Sequence, residues 1–233
     1  MAIDGREAGR EQPVRLRLGR VELEGELTVP PGARGLVLFA HGSGSSRKSP
    51  RNRFVARVIR EAGVGTLLFD LLSREEEELD SMDASLRFDI GFLAERLVRA
   101  TDWALSHPGL RDLRFGYFGS STGAAAALVA ATERPERIRA VVSRGGRPDL
   151  AGDALPLVRA PTLLIVGGAD AVVIELNQRA CRQLRTLTEL LIIPGATHLF
   201  PEPGALEEVA RLAAEWFGAH LAGHRAEQTA PWR

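Results

Sequence analysis

Phe118-Gly119-Ser120-Ser121-Thr122-Gly123-Ala124-Ala125-Ala126-Ala127 is the stretch on which the fold of this chain turns. The apolar run that leads into it, residues 114–118, reads as a strand, and residues 122–132 behind it read as a helix. Between the two stands G-x-S-x-G. A strand that becomes a helix within so few residues lifts its serine above the sheet edge in a strained backbone geometry. Glycines two residues before and after let neighbouring chain approach where a Cβ would clash. The alanine run then brings the helix close to the sheet, and the helix N-terminus aims its free amides at whatever Ser121 attacks. Glycine and serine are common, so the pattern takes its weight from the strand–turn–helix context.

The same alternation extends outward. Continuous apolar runs at 36–40, 65–69, 139–142, 162–166 and 189–193 read as strands buried on both faces. Helical patterns at 53–62, 87–106, 172–184 and 205–220 lie between and after them. At the front, Val14-Arg15-Leu16-Arg17-Leu18 and Val21-Glu22-Leu23-Glu24-Gly25-Glu26-Leu27 alternate with period two around Gly19-Arg20. They read as an antiparallel hairpin with one face in water. The expectation is an α/β fold: an eight-stranded, mostly parallel sheet with helices on both faces. One domain would span 14–220, between a flexible N-terminal arm, 1–13, and a flexible C-terminal tail, 221–233. The connections 71–85 and 145–160 are short, so no large cap domain is expected. Glu75-Glu76-Glu77-Glu78, in the first of them, reads as a solvated face or loop and not a metal site, because adjacent like charges repel and no histidine is near in sequence.

Bulk properties agree. The chain has 233 residues, 45% of them hydrophobic and 26% charged, as an ordinary globular domain has. Thirty basic and thirty acidic residues cancel, so no global field argues for nucleic acid. No apolar run approaches the ~20 residues of a membrane span, and Met1 to Pro13 lacks the apolar core of a signal peptide. The single cysteine, Cys181, has no partner for an internal disulfide, which makes a cytoplasmic location the expectation.

A serine hydroxyl is a weak nucleophile at neutral pH and needs a base, which in turn needs an orienting acid. With an elbow of this kind the chain order is serine, acid, histidine. Three histidines follow Ser121, and only His198 lies in a loop between the last strand and the last helix; His220 and His224 come later. The acid expected is Asp170, which follows a buried strand through Gly167-Gly168; the same position suits a helix N-cap, and the two roles can coexist. Asp149 and Asp153 are the alternates. An oxyanion hole needs two amides. Thr122 supplies one, and Ser43, with Gly44 second, supplies the other from the loop His41-Gly42-Ser43-Gly44-Ser45-Ser46. His41 is read as a structural hydrogen-bonding residue. Arg144 and Arg147, after the strand at 139–142, are candidates to hold an anionic group of the substrate, the alternative being ion pairs with Asp149 or Asp153.

The oxyanion loop has a rival reading. Gly42 to Ser49 nearly matches the phosphate-binding G-x-x-x-x-G-K-S, with Asp70 as a magnesium-holding strand end, but Arg47 stands where glycine is needed. That reading also leaves Ser121, Asp170 and His198 unexplained.

Together, Leu38-Phe39-Ala40-His41-Gly42-Ser43-Gly44, Gly119-Ser120-Ser121-Thr122-Gly123, Gly168-Ala169-Asp170 and Gly195-Ala196-Thr197-His198 resemble α/β-hydrolases of the dienelactone-hydrolase-like group. The resemblance runs from Val21 to Phe217. Ser143-Arg144-Gly145-Gly146-Arg147-Pro148-Asp149 and Pro201-Glu202-Pro203-Gly204-Ala205-Leu206-Glu207 resemble a subgroup whose members are sometimes fused to a phosphoribosyltransferase domain. No such domain is expected within these residues. The family's dienelactone hydrolases carry cysteine at the elbow, where this chain has Ser121. The resemblance therefore implies the fold, the triad and ester-like chemistry, but not dienelactone activity.

The expected function is hydrolysis of a small or short-chain carboxylic ester, a small-molecule substrate, through an acyl-enzyme on Ser121. No metal or organic cofactor is required, and neither nucleic acid nor membrane is an expected partner. Peptide cleavage, perhydrolysis and C–C bond hydrolysis use the same groups, and a non-catalytic binding module could keep the fold. The sequence leaves monomer and homodimer both open.

Overall fold

A computed structural model describes residues 9–221. The strands are β1 (Gln12–Leu18), β2 (Val21–Thr28), β3 (Gly35–Ala40), β4 (Gly65–Phe69), β5 (Arg114–Ser120), β6 (Ile138–Arg144), β7 (Thr162–Gly167) and β8 (Thr188–Ile193). The helices are α1 (Pro50–Glu61), α2 (Arg74–Asp83), α3 (Ile90–Ser106), α4 (Thr122–Glu133), α5 (Ala171–Gln183) and α6 (Ala205–Leu221), with a 3-10 segment at Pro148–Leu157.

All eight strands join one sheet in the order β1-β2-β4-β3-β5-β6-β7-β8. The β1–β2 hairpin is antiparallel and docks antiparallel on β4; every later pairing is parallel. The apolar runs explain this. Strands β3, β4 and β7 are buried at every residue, because helices cover both faces. One face packs on α3, α4 and α5 through Leu38, Tyr117, Leu128 and Leu164. The other packs on α1 and α6 through Phe39, Phe118, Val142 and Ile165. Parallel strands put the loops after β3, β5, β6, β7 and β8 on one sheet edge, and that edge carries the site. No helix among the described residues is long and apolar enough to cross a membrane.

Beyond shifts of a few residues at element ends, four features differ from the sequence expectation. Strand β1 begins at Gln12 and takes up the end of the expected arm. Leu221 belongs to α6 and not to the tail: it is fully buried, against the space left by Gly35 and Gly116. Residues 1–8 and 222–233, the rest of the expected arm and tail, lie outside the described residues. The four glutamates open a helix, α2. Ser73 accepts from the Glu76 amide and the Glu76 carboxylate accepts from the Ser73 amide, a capping box, and acidic groups suit a helix N-terminus. The signal was present as S-x-x-E. The connection 145–160 also carries structure, the 3-10 segment, which α4 and α5 flank. Neither connection holds a cap domain.

Candidate active site

The elbow is built as its glycines require. Ser121 has φ 51° and ψ −124°, a region an L-residue seldom adopts. A Cβ on Gly119 would collide with the backbone of Ala124, and one on Gly123 would fall onto the carbonyl oxygen of Ala40. Two bonds tie the turn to the next strand: the Ser121 amide donates to the Arg144 carbonyl at 3.4 Å, and the Arg147 amide donates to the Ser121 carbonyl at 3.1 Å.

Asp170 and His198 meet because the ends of β7 and β8 are stitched together. The Gly168 amide donates to the Ile193 carbonyl at 2.8 Å, and the Ala169 amide to the Ala196 carbonyl at 2.9 Å. His198 Nδ1 then lies 2.8 Å from Asp170 Oδ2. A carboxylate only accepts, so Nδ1 donates and Nε2 is left free to take a proton. The other carboxylate oxygen, Asp170 Oδ1, accepts from the Val173 amide at 3.4 Å and caps α5. Cap and histidine partner thus use different oxygens of one carboxylate. The turn that carries His198 is pinned by Phe200, buried with φ 56°, and by the Thr197 hydroxyl donating to Glu202 at 2.6 Å. The ring stands beside Gly145, with Cε1 3.7 Å from where a Cβ there would lie. The Ser121 hydroxyl makes no hydrogen bond among the described residues; contacts of this kind tighten in the substrate complex.

The two expected oxyanion donors are neighbours. Thr122 opens α4, so its amide has no intrahelical acceptor. The Ser43 amide donates to Thr122 Oγ1 at 3.1 Å. This ties the loop to the elbow, and an oxyanion would have to draw the Ser43 amide from that hydroxyl. Gly44, the second choice, has φ 71°, a conformation that favours glycine.

Two side chains fix this loop. Arg47, the residue that spoils the phosphate-loop pattern, donates its amide to Asp70 at 2.8 Å and pairs its guanidinium with Asp70 and Glu24. Buried His41 has Nε2 accepting from the Leu71 amide at 3.1 Å, so Nδ1 carries the proton and donates to the Gly42 carbonyl at 3.1 Å. Burial pushes its pKa below the usual 6.5, against smaller upward pulls from Gly42 and Asp70. The folded protein therefore resists protonation that the unfolded chain accepts. Stability should be level above about pH 6.5 and fall as the pH drops from there towards the folded value. Urea midpoints between pH 8 and 5 check this against His41→Gln, whose curve should lack that component. Parallel curves for the two proteins would contradict it.

The two arginines part company. Arg147 makes a bidentate pair with Asp149, at 2.9 and 2.8 Å, so the ion-pair alternative describes it. Arg144 is only 6% exposed, and its Nε and Nη1 have no partner among the described residues. Arg51, which the sequence reading did not single out, lines a cleft of about 500 Å³ over the oxyanion loop together with Ser43, Gly44 and Lys48. It had a signal: a cation in the first turn of a helix opposes the helix dipole, and α1 has no acidic residue there. Asp153 is exposed on the 3-10 segment, and the acid in contact with His198 is Asp170.

The chain is similar over most of its length to known proteins. A crystal structure of dienelactone hydrolase from Anabaena variabilis is 62% identical, covers 91% of this chain and 98% of its own, and superposes with a TM-score of 0.90. A Mycobacterium tuberculosis protein carrying the name phosphoribosyl transferase is 57% identical over 214 residues, 92% of this chain but 47% of that protein. The chain spans about half the length of the curated relatives it matches. An α/β serine hydrolase without a lid from Xanthomonas campestris shares the fold at 19% identity and a TM-score of 0.70, over 92% of this chain and 96% of its own. No family model matches the sequence.

Proposed function

Because this chain belongs to the dienelactone-hydrolase-like group of α/β-hydrolases, we propose that it hydrolyses small or short-chain carboxylic esters through an acyl-enzyme on Ser121. The observation that carries the reading is the strained elbow beside a His198–Asp170 pair at 2.8 Å. In this mechanism Ser121 Oγ attacks the ester carbonyl while His198 Nε2 takes its proton. The negative charge that develops on the carbonyl oxygen is held by the amides of Thr122 and Ser43. His198 returns the proton to the departing alkoxide, which leaves as the alcohol. Water, deprotonated by His198, then attacks the acyl-enzyme, and the acid leaves as Ser121 is restored. Asp170 keeps the imidazole in the tautomer with Nδ1 protonated and stabilises its charged form.

The curated relatives' name speaks of phosphoribosyl transfer, but they are about twice as long as the stretch they share with this chain. The shared stretch is the one that carries the elbow and the His198–Asp170 pair, so the hydrolase reading is assigned to it.

Short substrates follow from the connections 71–85 and 145–160, which hold only a ten-residue helix and a 3-10 segment among the described residues and so no separate domain to enclose a long acyl chain. A fluorophosphonate probe should label Ser121, and p-nitrophenyl acetate and butyrate should be turned over with higher kcat/KM than the palmitate. Absence of labelling would count against an activated serine. Preference for palmitate would count against the short-chain assignment alone.

A further inference from the structure

Arg144 is a buried cation with no counterion among the described residues. Proteins seldom leave a charge in that state, because an unpaired ion removed from water costs several kcal/mol. Strand alternation puts its side chain on the face of Ala140 and Val142, which pack with Val55 and Ala56 of α1. There it carries no salt bridge among the described residues, and the charge acting on it is that of Arg51. Burial first, and then the charge of Arg51, lower its pKa to about 10. Arg51 Nε is likewise buried and without a partner among the described residues. Arg51 stands in the first turn of α1, where the free amides add further positive character.

The backbone of Arg144 adjoins the nucleophile, and Arg51 stands on the cleft over the oxyanion loop. Arg144 pairs in register with Ser120, and its carbonyl accepts from the Ser121 amide. Arg51 lines the same cleft as Ser43 and Gly44. Of the other charged groups on that cleft, Arg87 is paired with Asp80 at 2.5 Å, and among the described residues neither Lys48 nor the opposing Glu77 makes a salt bridge.

We propose that Arg144 and Arg51 form an anion subsite that holds a phosphate group on the ester substrate, within one small-molecule length of Ser121. This deepens the esterase reading and rests on it for the word substrate. Guanidinium forks match oxyanions bidentately. Two uncompensated guanidiniums beside a helix N-terminus suit a group carrying nearly two charges, as a phosphate monoester does at neutral pH, better than a single carboxylate.

The test has a binding arm and a kinetic arm. In the first, inorganic phosphate is titrated into the protein at constant ionic strength and Tm is followed. Phosphate should raise the Tm of the wild type by a few degrees. Arg144→Met should abolish the rise while matching or exceeding the wild-type Tm without phosphate, since it replaces an unbalanced buried charge with an apolar chain. An arginine that merely supports the fold would show the opposite, a lower starting Tm and an unchanged phosphate response, and would overturn the proposal. Arg51→Gln, at a less buried position, should weaken the phosphate response in the same direction.

In the kinetic arm, acetyl esters of 2-phosphoethanol, glycolate and ethanol are compared. The wild type should favour the phosphate-bearing ester, and Arg144→Met should cut its kcat/KM relative to ethyl acetate by about 10- to 100-fold. An Arg144-dependent preference for the glycolate ester would replace phosphate by carboxylate and overturn the assignment. A protein that cleaves no ester but gives the phosphate response would remove the esterase reading and leave the anion subsite standing. No phosphate response together with normal ester turnover would remove the subsite alone.

Discussion

Ser121→Ala should lower kcat for p-nitrophenyl acetate by about 10⁶-fold, the scale found when the nucleophile of a serine triad is removed. What remains should still exceed the rate in water by roughly 10³-fold, from binding and the oxyanion amides. The fold should hardly notice. The Ser121 hydroxyl makes no hydrogen bond among the described residues, and alanine can occupy φ 51° at much the same strain as serine. The turn is imposed by Gly119, Gly123 and the two backbone bonds to Arg144 of β6 and to Arg147 in the loop after it, none of which the substitution touches. Thermal melts should therefore superpose on the wild type while activity is lost. Ser120→Ala removes the neighbouring hydroxyl, which is buried on β5, and serves as the control. Unchanged turnover in Ser121→Ala would move the nucleophile elsewhere.

The second large effect is expected at Asp170. Asp170→Asn should reduce kcat by about 10⁴-fold, because an amide can donate to His198 Nδ1 and so favour the tautomer that cannot accept from serine. The structure makes this substitution unusually clean. Asparagine caps a helix about as well as aspartate, so the bond from the Val173 amide should survive and stability should change little. Asp170→Ala removes both roles and should also lose about 1 kcal/mol of stability. Comparing the two separates the catalytic share of this carboxylate from its capping share. Asp149→Asn and Asp153→Asn should cost far less activity, since Asp149 is engaged by Arg147 and Asp153 is exposed. The reverse ranking would place the acid after β6.

Much of the architecture was legible before any coordinates. Six apolar runs and a period-two hairpin correspond to the eight strands, because burial on both faces or on one leaves a direct imprint on local composition. Gly119 was legible for a similar reason, since it answers a clash within the strand–turn–helix unit; Gly123 was legible from the motif, although the clash it answers is with Ala40 of the neighbouring strand β3. The position of Asp170 after β7 and of His198 after β8 also followed from chain order, since adjacent parallel strands end at one edge. Helix α2 was not legible as a helix: four successive glutamates suit a solvated face, which they form, and only the Ser73–Glu76 capping box marks the helix that carries it.

By itself, then, the sequence determined the sheet, its layers, the elbow and the loops from which Asp170 and His198 project. Most of these rest on periodicity and backbone sterics, which act over a few residues; the approach of β3 to Gly123 is the exception. Only the tertiary structure decided the pairing of charges and protons. Arg144 is left without a salt bridge among the described residues, in the field of Arg51 from a helix 93 positions earlier in the numbering. Arg47 reaches Asp70 and Glu24, and His41 receives its proton placement from the Leu71 amide. Coulombic and hydrogen-bonding partners are chosen by distances of a few ångström and by burial. Those are set only when separate segments close over one another, and no local pattern in the chain encodes them.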